Sequence, residues 1–539
     1  MGNRNPLVQQ NLLDKAIAYF SPRVAQQRLA SRAQLAMVGG YTGARYDRAA
    51  LTSWRATGGS PNSDIIADLP TLRARSRDQM RNAPIALGAL NTTTSHTVGT
   101  GLSCNPAIDA AFLGFDQEQA SAWQADAKRR FEVWASSKDC SLERRLNFYG
   151  LQSLAYRSTK ESGDSFVITP RVNRTGLGVR LALQLIEADR VCNPNRTADS
   201  ETLIDGIELS PDTGETIAVH VARKHPGDLR IKNEWDRRAM RGDSTGRRNV
   251  LHIFKPLRPG QIRGVPWIAP ILEPLKQLSR YTDAELKAAV DSAVFSVFVK
   301  MDPEAFQDLF DEDSQKDVID RGTSWSGELE SGKAVNLLPG ESIESNTPGR
   351  PNPQFDPFVL AILRQIGVAL ELPFEVLVMH FQSSYTAARA ALLMAWKFFR
   401  VERDMLVTEL CQPVYELWLA DEVADGRITA RGFFADSIVR AAWCAAVWTG
   451  DGPGSIDPAK EVAAAKQRVD MEISTLEAES ILHDGVSWEV KHRQRVKEVN
   501  AQKADGTWTA TPGSPAPGTA APMPAPVPVP EPDDDELDD

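Results

Sequence analysis

The stretch that decides the fold spans residues 249–291 and reads NVLHIFKPLRPGQIRGVPWIAPILEPLKQLSRYTDAELKAAVD. A short apolar strand at 250–254 leads into a turn rich in proline, glycine and arginine. From Pro274 the apolar residues recur every three or four positions, which predicts a long helix over 274–299. Proline is tolerated in the first turn of a helix, where its missing N–H is not needed. No catalytic constellation lies in this stretch, so its pattern indicates a structural role.

The chain has 539 residues, of which 42% are hydrophobic, so two or three subdomains with sizeable cores are expected. No apolar run reaches the length that a bilayer-spanning helix requires. The first residues lack the apolar core of a secretion signal, so export by a signal peptide is not expected. The five cysteines are scattered without pairing or metal-ligand spacing, which favours a reducing compartment.

Charge is distributed unevenly along the chain, whose net charge is −10. Residues 1–55 carry eight bases and two acids, residues 301–344 carry twelve acids and three bases, and residues 531–539 carry seven acids and no base. A conventional DNA-binding domain would present a strongly basic face. The charge pattern therefore indicates a near-neutral body with a basic head, an acidic middle segment and an acidic tail.

Periodicity predicts an α+β fold that is mainly helical. The expected helices are a run from residue 72 that Pro84 interrupts, then 116–136, 142–162, 274–299, 355–370, 384–418 with a kink at Pro413, and helices from 458 to about 500. The expected strands are 164–169, 181–186, 206–209, 216–222, 250–254 and 334–338, with a hairpin joining 206–209 to 216–222.

Three patterns that could carry enzyme chemistry were weighed, and none is complete. Residues 327–333 match the GxxxxGK phosphate loop, but Ala334 stands where a magnesium-binding Ser or Thr is needed, and Glu328 and Glu330 would repel phosphates. Gly163-Asp164-Ser165 is not a nucleophile elbow. The seven histidines form no HxxxH or HExxH pair. The sequence therefore predicts no catalytic, cofactor or metal site.

A series of short stretches, in this order along residues 30–500, resembles the lambda-type phage portal protein family. The family signature is similar to His252 through Tyr281, and its remaining motifs are similar to Arg73–Asp78 with Arg81–Pro84, Val98–Gly101, Glu187–Arg190, Asp205–Glu208, His225-Pro226, Phe355–Phe358, Leu372–Glu375, Tyr385–Leu392, Pro413–Tyr415 and Ile456–Glu461. Each motif is weak alone, and their shared order makes the resemblance strong. The Pro-rich acidic tail lies outside the pattern.

The resemblance implies a subunit with wing, stem, clip and crown regions that assembles into a ring, expected to be a dodecamer. It divides the chain into a basic, partly disordered segment (1–70), wing (71–265), first stem helix (266–300), acidic clip (301–344), second stem helix (345–371), channel loop (372–385), wing helices (386–457), wing-top or crown helices (458–503) and a disordered Pro-rich acidic tail (504–539).

The resemblance also assigns three sets of site residues. The stem signature comprises Arg263, Gly264, Pro266, Pro270, Leu275 and Tyr281. The channel loop is centred on His380, Phe381, Gln382, Ser383, Ser384 and Tyr385. The docking surface of the clip comprises Asp302, Glu304, Asp308, Asp311, Glu312, Asp313 and Asp317.

The implied function is that of a portal at one capsid vertex, through which double-stranded DNA is packaged and ejected. Its expected partners are copies of itself, the terminase large subunit, the major capsid or scaffold protein, head–tail adaptor proteins and the DNA in its channel, with no membrane. Its expected location is the virion, and the host cytoplasm during assembly. Two alternatives remain open, namely another ring-forming phage protein of the tail or baseplate, and a nucleic-acid-processing enzyme.

Overall fold

A computed structural model describes residues 58–175, 178–228, 233–293, 297–301, 341–345, 353–381, 384–453 and 458–507, together with scattered positions between 17 and 56. The chain divides into two units. The first comprises Met1–Thr71 with Pro256–Arg263, and the second comprises Leu72–Lys255 with Gly264–Asp539. The acidic docking residues of the clip, the phosphate-loop match and residues 508–539 all lie outside the described residues.

The first unit is built on a short helix, α1 (Pro61–Ile65). The Asn62 side chain on this helix donates to the Gly260 carbonyl over 3.1 Å. The Arg258 guanidinium lies 2.8 Å from the Asp64 carboxylate. These contacts hold two segments together that are far apart in sequence.

The other helices follow from the apolar periodicity and their caps. They are α2 (Leu69–Asn82), α3 (Pro84–Thr97), α4 (Ala110–Leu113), α5 (Gln117–Ser136), α6 (Phe148–Ser162), α7 (Leu272–Ala293), α8 (Phe355–Ala369), α9 (Phe374–Leu377), α10 (Tyr385–Leu406), α11 (Gln412–Ala424), α12 (Ser437–Cys444), α13 (Pro458–Asp470), α14 (Leu476–Asp484) and α15 (Trp488–Ala504). Within the described ranges, no helix has both the length and the apolar character needed to cross a membrane.

The strands form small antiparallel sheets in the second unit. They are β1 (Ser103–Pro106), β2 (Asp164–Ile168), β3 (Arg171–Arg174), β4 (Gly178–Leu181), β5 (Gln184–Glu187), β6 (Leu203–Ile204), β7 (Ile207–Leu209), β8 (Thr216–Ala222), β9 (Trp235–Ala239), β10 (Val250–Phe254), β11 (Val297–Met301), β12 (Glu341–Ser345) and β13 (Ala446–Thr449). The sheet orders are β10-β2-β5, β6-β7-β8-β9, β1-β13, β3-β4 and β11-β12.

The largest core is aromatic and centres on Phe131 of α5. The rings of Phe148, Tyr415, Trp418 and Trp448 surround it with centroid separations of 5.1 to 6.0 Å, mostly edge to face. Helix α5 can bury this stripe because Asp116 and Gln119 form a reciprocal capping box at its start. A second core contains residues from the helices α3, α7, α8, α9 and α10. A third core lies around Phe166 of β2.

Several predicted elements are confirmed with their expected bounds. Pro84 separates α2 from α3, α5 and α8 match the predicted helices, and the hairpin between β7 and β8 is present. The helix predicted from residue 142 begins only at Phe148, where Asn147 caps it and the preceding Arg144 has a φ of 55°. The strand predicted at 181–186 is wrong, because β4 ends at Leu181 and β5 begins at Gln184.

The helix predicted to reach residue 299 ends at Ala293, and β11 follows it. The run from 294 to 301 reads VFSVFVKM, and its β-branched and aromatic residues favour a strand over a helix. The periodic spacing of Val297 with the helix before it was therefore misleading. The strand predicted at 334–338 lies outside the described residues, and β12 begins just after them, at Glu341.

The long helix predicted from Ser384 is present and continues to Ala424, with a π-helical turn (Val407–Cys411) between α10 and α11. This turn directly precedes Pro413, where a kink was expected. A proline ring clashes with the carbonyl four residues before it and donates no hydrogen bond. The wider turn relieves that clash, so the helix accommodates its proline with one extra residue in a turn.

Candidate stem and channel site

The signature turn crosses the backbone between α6 and β2 at a pair of glycines. A Cβ added to Gly264 would lie 2.0 Å from the Gly163 carbonyl oxygen, and one added to Gly163 would lie 2.4 Å from that of Gly264. Gly163 also has a φ of 94°, which side chains disfavour. Only glycine at both positions allows the two backbones to approach this closely, so the turn leading into α7 is fixed against the end of α6.

The buried carboxylate of Asp164 completes this crossing. It accepts hydrogen bonds from the Gly264 amide over 3.2 Å and from Arg73 Nη2 over 3.1 Å, and its other close neighbour is His252 Nε2 at 3.4 Å. A buried charge is stable only when it is paired and hydrogen-bonded. Asp164 therefore ties α2, β2 and β10 to the signature turn.

A second buried ion pair holds the turn that leads into α7. Lys160 Nζ lies 2.6 Å from Glu402 Oε2, and both side chains are almost fully buried. The same ammonium lies 5.1 Å from the Trp267 ring, and the Trp267 amide donates to the Lys160 carbonyl over 3.0 Å. Burial lowers the pKa of Lys160, and the Glu402 carboxylate opposes that shift. The pair joins α6, α10 and the signature turn through charge and aromatic contact.

The two candidate stem helices, α7 and α8, pack against each other. Tyr281 of α7 stacks on Phe355 at 5.6 Å and meets Phe358 edge-on at 5.0 Å. Below this contact Leu275 is buried in the second core. Of the predicted stem signature, Arg263 and Gly264 are buried, Leu275 and Tyr281 make these contacts, and Pro270 lies in the 3-10 turn (Ala269–Ile271) that starts α7. Pro266 precedes that turn, and its carbonyl accepts the Ala269 amide.

Beyond the two helices the chain forms a strand pair. Strand β11 follows α7, strand β12 precedes α8, and they pair antiparallel with Val297 opposite Ser345 and Met301 opposite Glu341. The segment between these strands is the predicted acidic clip. Its docking residues Asp302, Glu304, Asp308, Asp311, Glu312, Asp313 and Asp317 lie outside the described residues, so their roles remain predictions.

The predicted channel loop, residues 372–385, contains the short helix α9 and the segment that joins α9 to α10. The His380 amide donates to the Glu375 carbonyl over 3.1 Å, and Met379 before it has a φ of 54°. Phe381 and Tyr385 are each about half exposed. Ser384 caps α10 by accepting the Ala387 amide, while Gln382 and Ser383 lie outside the described residues. The structure therefore presents two aromatic side chains at the ends of this loop.

Among the described residues, one side-chain group has metal-ligand spacing: Glu187, Asp189 and His225. The Gly227 amide donates to His225 Nδ1 over 3.0 Å, so Nε2 carries the ring proton and faces the two carboxylates. Arg77 also pairs with both acids, and these contacts lower the pKa of Asp189 against the opposing effect of burial. This group is an ion-pair cluster. A metal ion would have to displace the proton on His225 Nε2 and the Arg77 guanidinium.

Sequence reasoning missed the two buried ion pairs. Asp164 was considered within a possible nucleophile motif and set aside, and its structural partners Arg73 and His252 are distant in sequence. Lys160 and Glu402 carried only a weak local signal, since each sits in an ordinary amphipathic helix. A charged residue on an otherwise apolar helix face was the available hint.

The model of the family described as "Phage portal protein, lambda family" matches residues 47–403, which is more than half of the chain. The chain belongs to the lambda family of phage portal proteins. Portal protein B of Escherichia phage lambda is 24% identical over 475 residues, which cover 85% of this chain and 88% of that protein. The portal protein of Escherichia phage N15 is 23% identical over 475 residues, covering 85% and 89% of the two chains.

A solved chain from the neck of a native GTA (gene transfer agent) particle is also similar. It is 13% identical, the match covers 69% of this chain and 92% of that one, and the TM-score is 0.40. As a member of the portal family, this chain is a structural, non-enzymatic protein of the virion that forms the portal ring and connects head to tail. Family membership favours this function over a separate tail or baseplate role and over an enzyme.

Proposed function

We propose that α7 and α8 form the stem of the ring, that residues 301–344 form a clip beyond it, and that residues 372–385 form a channel loop. The observation that supports this most directly is the Tyr281 contact between α7 and α8, together with the β11–β12 pair at their far ends. Two paired helices that continue into two paired strands hold the ends of the intervening segment close together. We expect the acidic segment between these strands to project away from the proposed wing.

The charge of the proposed clip suits a docking surface better than a DNA contact. Residues 301–344 carry twelve acids and three bases, so they would repel phosphates. A conduit must let DNA slide, and each phosphate contact would add salt-dependent affinity. Complementary charge across an interface mainly steers association and sets register. The proposed partners of this surface are the terminase large subunit during packaging and head–tail adaptor proteins afterwards.

The proposed channel loop acts as a steric gate on the DNA. Its described side chains, His380, Phe381, Ser384 and Tyr385, extend from the ends of α9 and α10. Both helices belong to the second core, which anchors the loop on rigid elements. An exposed aromatic side chain on a firmly held loop can contact DNA without neutralising its charge.

The remaining proposed assignments follow the order of the family. Residues 71–265 and 386–457 would build the wing and contact the capsid or scaffold protein, and residues 458–503 would form the wing top or crown. We propose a ring of twelve copies that assembles in the host cytoplasm. Double-stranded DNA would pass through its axis.

Electron microscopy of the purified chain, with its mass measured in solution, tests the ring. We expect a closed ring of about twelve copies of the 59.2 kDa chain around an axial hole. A monomer or dimer at every concentration would contradict the proposal. An open helical filament would contradict ring closure specifically.

Replacing the seven acidic docking residues of the clip by their amides tests the motor contact. We expect binding to a terminase large subunit to weaken at least tenfold, and its salt dependence to decrease, because steering charges are removed. A ring in which the seven acids of residues 531–539 are neutralised is the matched control, since the same charge is lost elsewhere. Equal weakening in both rings would show that total charge, and not the clip, governs docking.

A further inference from the structure

Helix α15, near the end of the described chain, is a basic and largely exposed helix. None of its residues is buried. It carries five bases against two acids, Glu489 and Glu498; the bases are Lys491, Arg493, Arg495, Lys497 and Lys503. An open groove of about 570 Å³ runs along it, and the lining includes Trp488, Val490, Lys491, His492 and Arg495. The Trp488 ring stacks on His492 at 4.7 Å, so an aromatic platform lies beside basic side chains.

Three bases of α15, Arg493, Arg495 and Lys497, are available to another partner, whereas Lys491 Nζ already pairs with the Asp484 carboxylate over 2.6 Å. Arg493 lies 3.5 Å from Glu489 and Arg495 lies 3.6 Å from Glu498, and all four side chains are substantially exposed. Exposed ion pairs within one helix contribute little free energy, so they exchange partners readily. Lys497 has no carboxylate partner within the part of the chain that the structure describes. A denser anionic segment could therefore engage this helix at low cost.

The chain itself supplies a segment with matching chemistry. From Pro522 to Pro532 every second residue is proline, and six acids follow between Asp533 and Asp539. Alternating proline favours the polyproline II conformation, which docks on aromatic-lined grooves with little loss of entropy. Carboxylates form charge-assisted hydrogen bonds with lysine and arginine. A segment in which prolines are followed by acids is therefore complementary to a groove that combines an indole ring with basic side chains.

The end of α15 turns the chain off the helix axis. Gly506 has a φ of 70°, and the Thr507 amide donates to the Gln502 carbonyl over 2.9 Å, which is a Schellman ending that turns the chain off the helix axis. The 17 residues of α15 span about 25 Å. Residues 508–521 form a Gly/Pro/Ala/Thr-rich linker whose root-mean-square reach, if flexible, is about 20 Å. The linker length therefore matches the span, which maximises the effective concentration of the tail at its own helix.

We propose that residues 522–539 dock on α15, with the proline-rich part against Trp488 and the acidic end paired with Arg495 in the groove and with Lys497 beside it. The docked tail screens the basic helix from other polyanions, including DNA. Removing the tail then exposes a surface with a net charge of about +3, from the five bases and two acids of this helix.

Lysine acetylation followed by mass spectrometry tests the docking in the full-length ring. We expect Lys497 to react about three- to tenfold more slowly in the full chain than in a ring that ends at residue 507. Lys138, exposed on the wing, should react equally in both rings. A full-length ring whose tail acids are replaced by amides should react like the truncated one. Equal rates at Lys497 in all three rings would overturn the proposal.

A synthetic peptide of residues 522–539 provides a second readout on the truncated ring. We expect its fluorescence anisotropy to report salt-sensitive binding that weakens at least fivefold with Trp488→Ala and with Lys497→Glu, while Lys138→Glu leaves it unchanged. Circular dichroism confirms that each variant keeps its helices. Peptide binding that is insensitive to both α15 variants would place the tail elsewhere. Binding of a DNA duplex to α15 with no protection of Lys497 by the tail would assign the helix to DNA and reject the proposal.

Discussion

The core around Phe131, in the proposed wing, and the proposed stem helices α7 and α8 differ in how far they bury their apolar residues. Around Phe131 four aromatic rings close a cluster in which nearly every side chain is inaccessible to solvent. On α7 and α8 the helix contact uses Tyr281, yet Leu286 is 65% and Val368 is 81% exposed. The core around Phe131 is closed within one chain, whereas the proposed stem helices display apolar side chains that one chain does not cover.

Because of this difference, the buried core stabilises the folded chain, whereas the exposed apolar side chains contribute to assembly. Aromatic packing in the wing contributes stability before any neighbour is present. Exposed apolar side chains on paired helices contribute only when another surface removes them from water. In a protein that forms a ring, head-to-tail contacts between subunits supply that surface. Substitutions in the two regions should therefore affect different measurements.

Phe131→Ala should produce the largest loss of stability. Truncating a fully buried phenylalanine removes its transfer free energy and leaves a cavity, which together cost about 4 kcal/mol. Thermal or denaturant unfolding of the wing measures the loss, which should be independent of protein concentration. Val133→Ala on the same helix is the control, because Val133 is mostly exposed. A small effect at Phe131 would mean that the wing too relies on neighbours.

Lys160→Met should cost about 3 kcal/mol, because the buried Glu402 would lose its closest cation and keep the half-exposed Lys255, at 3.3 Å, and the Tyr156 hydroxyl as partners. The double variant Lys160→Met with Glu402→Leu should recover most of the loss, since an apolar pair replaces the buried charges. Chemical denaturation measures both variants. No recovery in the double variant would show that the ion pair itself stabilises the join of wing and stem.

Val368→Asp should leave the unfolding of the wing nearly unchanged and should raise the concentration needed for ring assembly about tenfold, or about 1.4 kcal/mol. The exposed position carries no packing within its own chain, but a charge there disfavours burial against a neighbour. Mass measurements over a dilution series give the assembly midpoint. Lys138→Asp, at an exposed position of the proposed wing, is the control. Equal effects of the two substitutions would show that Val368 has no specific role in assembly.

Glu479 supplies a small, pH-dependent effect in the last helices. Two hydrogen bonds from Arg468, of 2.6 and 2.8 Å, lower the pKa of Glu479 to about 2 from an ordinary value of 4.5. Because the folded pKa is the lower one, the stabilisation is present above pH 4.5 and is lost as the pH falls toward 2. The melting temperature of the Glu479→Gln variant should be lower than that of the parent protein at pH 6, and the two should converge at pH 2. A constant difference at all pH values would contradict this.

Local patterns in the sequence predicted the elements whose cause is local. The apolar stripe of α5 and the Pro-Asp-Thr-Gly turn between β7 and β8 need no distant partner to be recognised. The end of α7 was misplaced because residues 294–301 satisfy a helical spacing although their residue types favour a strand. The spacing of these residues favours a helix and their types favour a strand. Pairing with β12, which lies about forty residues further along the chain, favours the strand.

The signature turn could be located from sequence, but its physical basis could not. The glycine of RGVP was noticeable, whereas its contact with Gly163 joins segments about one hundred residues apart. The pairing of Lys160 with Glu402 is likewise invisible without the fold. Carboxylates and bases are too common for a single sequence to show which of them meet.

The π-helical turn at Val407–Cys411 also sets the phase between two parts of one continuous helix. Each residue of an α-helix turns the chain by about 100° and advances it by about 1.5 Å. Deleting one residue from this turn would restore uninterrupted α-helical winding and rotate α10 by roughly that angle relative to α11. The side chains that α10 buries around Phe399 would then point away from their core, and Ser384 and Tyr385 would swing to another side of the subunit. A single residue in this turn therefore fixes the rotation of α10, and of the loop before it, relative to α11.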